Sequence, residues 1–360
     1  MNPSPSTVPQ TQWLRTIRRV VYWILPFAIF FLIIRRIDWA IFLQTVQQTS
    51  PLFLVLGLAY YPFVVLVAAL RWRLAVRYYL GQTPPLRFAV YHYWVGYSLG
   101  LFAPASVGLD VYRVVAAGKR FGKYGLNAMA ILVEKLMAFT NVAFMVIVLY
   151  PLLRPRVVHN ADLVDGLARI SIVILTSAGI GIALLALLFR HRAGALLSQK
   201  FHAVLSSIIA RASTGIRSEL EETTAAFDLH DFFRPIISVR PCANLFFASL
   251  LIQLASAVGN AIFFQAVGCP LPFLVNLFLL PIFYLVFLLP ISFGSLGIRE
   301  GAYITLYGLF GVAPEVALLV SFMNLMGLLL NIGIGATLLW LTPYLCPPAV
   351  AAARDDEIQE

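Results

Sequence analysis

Long apolar runs separated by short polar stretches dominate the hydrophobic pattern of this 360-residue chain. Most of them approach the roughly 20 residues that a helix needs to cross the hydrocarbon core of a bilayer. Six runs predict membrane-spanning helices, and they occupy residues 20–34, 51–70, 125–150, 167–189, 245–267 and 314–344. The pattern therefore predicts an all-α polytopic membrane protein.

Two further apolar segments, 88–107 and 271–290, lead into a similar motif that contains helix breakers. Four matched positions carry the same residue types: Pro104, Ser106, Gly108 and Arg113 in the first motif, and Pro290, Ser292, Gly294 and Arg299 in the second. Irregular backbone at membrane depth is tolerated only where protein buries it or water reaches it. We therefore predict two re-entrant or broken helical hairpins that form an inverted repeat, an arrangement that places a transporter's substrate site near the midplane. A plain bundle of eight spans is the alternative.

The basic residues cluster between the apolar runs, so the net charge of +10 indicates membrane orientation rather than nucleic-acid binding. Their distribution predicts cytoplasmic termini, a first hairpin that enters from the cytoplasm and a second that enters from outside. We expect a single transmembrane domain over 15–344 with a cytoplasmic loop at 190–241, a disordered tail at 1–14 and a second cytoplasmic tail at 345–360. Residues 38–50 have apolar positions at helical spacing, which predicts a short helix in the outer interface. The expected location is the plasma membrane of a prokaryote.

Only 12% of the residues are charged, against roughly 25% in a soluble domain, so ionisable groups near the apolar segments are conspicuous. Such groups are costly in a membrane and indicate a functional site by default. The functional interpretation is a polar groove between the hairpins, where arginines offer paired donors to a phosphate and acids hold them or bind an amine. The structural alternative is mutual neutralisation, since Asp110 and Arg113 can pair across one helical turn. The candidate substrate-binding residues are Pro104, Ser106, Gly108, Asp110, Arg113, Glu134, Lys135, Pro290, Ser292, Gly294, Gly297, Arg299 and Glu300.

Other polar and small residues have structural interpretations. Glu315 begins a predicted helix, where its charge suits the N-terminal dipole. Asn324 and Asn331 suit hydrogen bonds between helices as well as ligand contact, and Gly96 and Gly100 allow the arms of the first hairpin to approach closely.

Searches of the sequence for enzyme signatures fail. Gly118-Lys119 lacks the Ser or Thr of a phosphate-binding loop, and neither His-Glu-x-x-His nor Gly-x-Ser-x-Gly occurs. The three cysteines, Cys242, Cys269 and Cys346, show no metal-ligand spacing. We therefore expect no enzyme activity, no cofactor and no metal.

Three stretches resemble the lysylphosphatidylglycerol synthase transmembrane family, also called flippase-like membrane proteins, over residues 15–342. They are Pro104-x-Ser106-x-Gly108-x-Asp110-x-x-Arg113, Val133-Glu134-Lys135-Leu136 and Leu289-Pro290-x-Ser292-x-Gly294-x-x-Gly297-x-Arg299-Glu300. The chain departs from the family at Leu109 and Ser295, where glycine is usual, and at Lys135, where arginine is usual. Bifunctional members carry a soluble aminoacyl-transferase domain after the membrane part. Here only about sixteen residues follow Tyr344, so we do not expect lysyl transfer.

The resemblance implies a protein that moves a lipid or a lipid-linked intermediate between leaflets. We predict a flippase or scramblase-like transporter whose groove binds the headgroup while the lipid tails stay in the bilayer. The groove is expected to be lined by Asp110, Arg113, Glu134, Arg299 and Glu300. One alternative is a membrane enzyme or assembly partner for polyprenyl-linked glycan or lipid modification, acting beside a glycosyltransferase or lipid-modifying enzyme. Another is an ion-coupled transporter of a small solute. The predicted binding partner is a membrane lipid or lipid-linked substrate, with no nucleic acid.

Overall fold

The structure is a computed structural model that describes residues 28–100, 107–122, 124–158, parts of 160–176, 239–288 and 297–345. Nine helices of ten or more residues follow one another in this part of the chain: α1 (Trp39–Gln48), α2 (Pro51–Leu80), α3 (Leu86–Gly100), α4 (Val107–Phe121), α5 (Tyr124–Leu153), α6 (Val239–Ala266), α7 (Phe273–Leu288), α8 (Ile298–Gly308) and α9 (Pro314–Leu345). A short 3-10 helix, Arg154–Arg156, follows α5. No strand occurs among the described residues, so the all-α prediction is confirmed.

Four helices are long and apolar enough to cross a membrane in the described part of the chain, and these are α2, α5, α6 and α9. They correspond to four of the six spans that the apolar runs predict. Of the other two, the span at 20–34 is described only at residues 28–34, which are helical. The span at 167–189 lies largely outside the described residues.

Helix α2 continues beyond the apolar run that predicted it. The run ends at residue 70, whereas the helix ends at Leu80, and Gly81 follows it in the left-handed conformation with φ 74°. Glycine adopts this conformation without steric cost, which makes it a common residue after a helix. The extension places Arg71 and Trp72 inside the helix, where Trp72 is fully buried.

Each predicted hairpin consists of two short helices, α3 with α4 and α7 with α8. The connecting stretches lie outside the described residues, and so do their candidate residues: Pro104, Ser106, Pro290, Ser292 and Gly294. In the first pair the expected close approach is confirmed. A Cβ atom added at Gly96 would lie 2.4 Å from the Leu109 side chain, and one at Gly100 would lie 3.1 Å from the backbone nitrogen of Leu109.

The two pairs are not identical repeats. Arg113 lies in the middle of α4, whereas Arg299 is the second residue of α8. The matched spacing of the two motifs therefore places the two arginines at different depths along their helices. The inverted relation of the hairpins stays a prediction.

Buried apolar side chains form two clusters. One surrounds Trp72 and joins α2, α3, α4, the first half of α5 and the first half of α6. The other surrounds Phe264 and Tyr307 and joins α6, α7, α8 and α9 with the second half of α5. Because α2 and α6 pack extensively on each other, the two clusters lie side by side in one bundle.

The predicted short helix at 38–50 is confirmed as α1. Asp38 caps it by accepting hydrogen bonds from the backbone N–H groups of Ala40 and Ile41. The backbone N–H of Asp38 donates in turn to Glu315 in the first turn of α9, at 3.2 Å. Glu315 therefore has a structural role at the start of α9, as its position in the sequence predicts.

Candidate functional site

A fully buried carboxylate, Glu134 on α5, is shared by two arginines from other helices. Arg71 of α2 donates from Nη2 to Oε1 at 2.7 Å, and Arg113 of α4 donates from Nη1 to Oε2 at 3.1 Å. Hydrogen bonds between ionised groups are among the strongest in proteins. The carboxylate thus connects three helices within the membrane domain.

Asp110 and Lys135 extend this arrangement into a network. Arg113 also donates from Nη2 to Asp110 at 2.5 Å, and the other carboxylate oxygen of Asp110 lies 2.8 Å from Lys135 Nζ. The predicted pairing of Asp110 with Arg113 across one turn is confirmed. Arg71, Asp110, Arg113, Glu134 and Lys135 are called the charged network below. It contains three cations and two carboxylates, and Asp110 and Lys135 form its more accessible end.

The surroundings of Arg113 hold its guanidinium in place. Its central carbon lies 4.8 Å from the ring centroid of Tyr93 and 5.5 Å from that of Trp72. Asn127 of α5 donates to the backbone carbonyl oxygen of Arg113 at 3.0 Å. Since both terminal nitrogens of Arg113 bind carboxylates, the geometry favours the structural interpretation for this residue, namely neutralisation within the protein.

Glu300 lies fully buried in the first turn of α8 and binds that helix's own N-terminus. Its Oε2 accepts from the backbone N–H of Gly297 at 2.7 Å, and its Oε1 lies 3.5 Å from the Ser321 hydroxyl of α9. A carboxylate there satisfies an N-terminal donor and is favoured by the helix dipole. The backbone φ angle of Gly297 is 76°, a value that residues other than glycine rarely adopt. Both residues therefore position the start of α8, which carries Arg299.

A cavity of about 250 Å³ lies where α2, α3, α6, α7, α8 and α9 meet. Its polar lining consists of four tyrosines, two asparagines, a serine and an arginine: Tyr60, Tyr61, Tyr97, Tyr303, Asn324, Asn331, Ser256 and Arg299. Val64, Leu280, Phe287 and Leu328 complete the wall. The guanidinium carbon of Arg299 lies 5.8 Å from the Phe287 ring centroid. This space is called the Arg299 cavity.

A chain of hydrogen bonds leads from the cavity wall into the second apolar cluster. The Tyr61 hydroxyl donates to Asn324 at 2.7 Å, and the Asn324 amide donates to Asn260 at 2.9 Å. Asn260 and the Tyr307 hydroxyl then both donate to Asn276 Oδ1 at 2.9 Å. Asn324 therefore bonds between helices and also lines the cavity, and its contact with a ligand stays a prediction.

Asn331, the other asparagine in the wall, also bonds between helices. Its side-chain oxygen accepts from the indole N–H of Trp94 on α3 at 3.2 Å.

The charged network and the Arg299 cavity are separate sites connected by an aromatic contact. The Tyr93 ring, which faces Arg113, lies 6.0 Å from the ring of Tyr97 in the cavity wall, measured between centroids. The described residues of the expected groove lie at these two places, and a single groove between the hairpins stays a prediction. Asp110, Arg113, Glu134 and Lys135 come together, whereas Arg299 lines the cavity and Glu300 faces its own helix end. Gly108 packs near Gly100 in the first hairpin.

Sequence analysis missed Arg71 and the cavity tyrosines. Arg71 belongs to a basic group that the positive-inside rule explains without a partner. The one available signal was the absence of glycine and proline between residues 63 and 80, which permits α2 to continue through Arg71. Among the described residues, no group of three or more His, Cys, Asp or Glu side chains is placed to hold a metal ion.

The fold and these two sites define a polytopic helical membrane domain with a buried ion-pair network and a partly open cavity that contains Arg299. The model of the family described as the lysylphosphatidylglycerol synthase TM region matches residues 18–325. The chain therefore belongs to this family, and the resemblance seen in its motifs is confirmed. No curated protein and no solved structure matches the chain.

Proposed function

We propose that this protein moves a membrane lipid, either a phospholipid or a lipid-linked intermediate, between the two leaflets. The Arg299 cavity carries this proposal. A headgroup that crosses the hydrocarbon core loses its water, and each polar group left without a hydrogen bond there costs several kcal/mol. The hydroxyl, amide and guanidinium groups of the cavity wall replace that water. The lipid tails can meanwhile stay in the bilayer.

The way the cavity is built supports movement of this kind. Its wall combines Tyr60 and Tyr61 of α2 and Tyr97 of α3 with residues of α6 to α9, so helices from both apolar clusters meet at the cavity. A small rotation of one cluster against the other would change the opening of the cavity, as in transporters built from two repeats. The charged network holds α2, α4 and α5 together during that rotation.

Reconstitution of the purified full chain into liposomes tests the proposal. The cargo is a phospholipid with a fluorophore on one acyl chain, and a membrane-impermeant quencher reports its arrival in the outer leaflet. We expect wild type to accelerate movement over protein-free liposomes. Arg299→Ala should slow it by about ten- to a hundredfold, since a hydrogen bond to a charged group contributes about 1.5–3 kcal/mol. The matched control is Arg36→Ala, because Arg36 is exposed and outside the cavity.

Two results would contradict the proposal. One is wild-type protein that moves no phospholipid and no polyprenyl-phosphate-linked probe. The other is movement that Arg299→Ala and Arg36→Ala leave equally fast, since the cavity would then have no part in it.

A further inference from the structure

Among the described residues, the lining of the Arg299 cavity carries positive charge and no negative charge. Arg299 is the single charged side chain in the lining formed by the described residues. The adjacent Glu300 directs its carboxylate to the Gly297 N–H and the Ser321 hydroxyl, as part of the start of α8. The stretch between α7 and α8, residues 289–296, contains no aspartate or glutamate in its sequence.

A cation in such a cavity discriminates between headgroups by charge. Coulomb energies grow as the dielectric constant falls, so a second cation next to Arg299 is disfavoured more strongly than it would be in water. An anion there offsets the desolvation of the guanidinium. The planar guanidinium also matches two oxygens of a phosphate at once. The cavity therefore favours a phosphate and disfavours an ammonium group.

The remaining polar lining suits hydroxyl groups. Hydroxyl groups can donate and accept hydrogen bonds, so those of Tyr97, Tyr303 and Ser256 can pair with a polyol in either sense, whereas the Asn324 amide bonds to groups of the protein. The volume of about 250 Å³ is large enough for a phosphate with a small polyol.

The four tyrosines also allow a different occupant, because aromatic rings can form a cage around a quaternary ammonium ion. Such cages gain their affinity from the attraction of ring faces for a positive charge. In this cavity Arg299 supplies a positive charge from the protein itself. A choline headgroup is for this reason disfavoured, and it becomes a direct comparison in the test.

We infer that the Arg299 cavity selects lipids whose headgroup is an anionic phosphate diester that carries hydroxyl groups and no amine. The inference rests on the proposed function and identifies the class of lipid that the site takes. A headgroup esterified with lysine brings two ammonium groups to Arg299, so an aminoacylated lipid is not the expected cargo. Phosphatidylglycerol has the required chemistry.

Binding to the purified full chain in detergent tests this selection without requiring transport. The thermal stability of the protein is measured against increasing concentrations of dihexanoyl-phosphatidylglycerol, dihexanoyl-phosphatidylethanolamine, dihexanoyl-phosphatidylcholine and free glycerol 1-phosphate. A ligand that binds the folded state raises stability according to its affinity. We expect phosphatidylglycerol to act at a concentration about tenfold or more below the two amine-bearing lipids, the difference associated with one hydrogen bond to a charged group.

Variants connect that preference to the cavity. Arg299→Gln should remove the preference for phosphatidylglycerol over the amine-bearing lipids. Arg299→Lys should keep this preference because the positive charge remains, and the control Arg36→Gln should leave it unchanged. Ser256→Asp provides a second route, since a carboxylate in the wall cancels the charge of Arg299 while the arginine stays in place. It should abolish the preference even if Arg299→Gln fails to fold.

Equal binding of the three lipids, tighter binding of either amine-bearing lipid, or a preference that survives both Arg299→Gln and Ser256→Asp would overturn the inference. If glycerol 1-phosphate binds as tightly as phosphatidylglycerol, the ligand is a soluble phosphate ester, and the claim that the cavity binds a lipid is contradicted. Selective binding without lipid movement would contradict the proposed function alone. Lipid movement without selectivity would contradict this inference alone.

Discussion

Glu134 is the residue on which the charged network depends. It is fully buried, and both of its oxygens accept from arginines, Arg71 on one side and Arg113 on the other. A buried ion pair has little net stabilising effect against apolar replacements, but removal of one partner leaves an uncompensated charge in a low-dielectric interior. The loss of Glu134 would leave two guanidinium groups close together without their shared carboxylate.

We therefore predict that Glu134→Gln lowers the free energy of unfolding by about 3–5 kcal/mol, the usual result of breaking a buried pair. Thermal unfolding of the purified protein measures the loss. Glu315→Gln is the matched control, because Glu315 is also buried but accepts from one backbone N–H, and its replacement should cost about 1 kcal/mol. Equal losses for the two variants would contradict the structural role assigned to the network.

Residue pairs that are close in sequence could be predicted, and pairs formed by tertiary packing could not. The spacing of Asp110 and Arg113 on one helix was sufficient to predict their contact. The pairing of Arg71 with Glu134 depends on the packing of α2 against α5, which no local pattern specifies. The main partner of Glu300, the backbone N–H of Gly297, is local as well, because it belongs to the start of the same helix.

At the scale of elements, α3 and α9 pack with their backbones in close contact. A Cβ atom added at Gly335 would lie 2.0 Å from the carbonyl oxygen of Trp94 and 2.5 Å from the hydroxyl oxygen of Ser98. The Ser98 hydroxyl donates to the carbonyl oxygen of Ile332 at 2.6 Å. Small residues allow such backbone contact between membrane helices, and a hydrogen bond across the interface adds to it. This contact positions Tyr97 and Asn331 on opposite helices of the cavity wall.

Gly335→Ala should therefore destabilise the protein by about 1–3 kcal/mol, the usual cost of overpacking a close contact. Gly333→Ala on the same helix is the control, because a Cβ atom at Gly333 meets nothing within 4 Å. That variant should be neutral or slightly stabilising, since alanine favours a helix more than glycine does. Thermal unfolding distinguishes the two, and equal stability would contradict the close approach of α3 and α9.

At the scale of the whole molecule, the sequence predicted the membrane-spanning helices more fully than the cavity that lies between them. The long apolar runs predicted α2, α5, α6 and α9 because a helix must be long enough to cross the bilayer. The cavity depends instead on which helix faces meet, and aromatic residues within apolar runs are ambiguous between lipid contact, packing and lining. Tyr60, Tyr61 and Tyr97 gave no signal in the sequence that separates these roles.

The central claim is that a lipid headgroup passes through the Arg299 cavity, and obstruction of the cavity tests it most directly. In a protein whose three native cysteines are replaced by alanine, Ser256→Cys places a thiol in the wall and Val258→Cys places one on the exposed side of the same helix. Both variants are labelled to completion with a bulky thiol reagent and assayed for lipid movement in liposomes. We predict that labelling stops movement in Ser256→Cys and leaves Val258→Cys unaffected. Undiminished movement in fully labelled Ser256→Cys would contradict the claim.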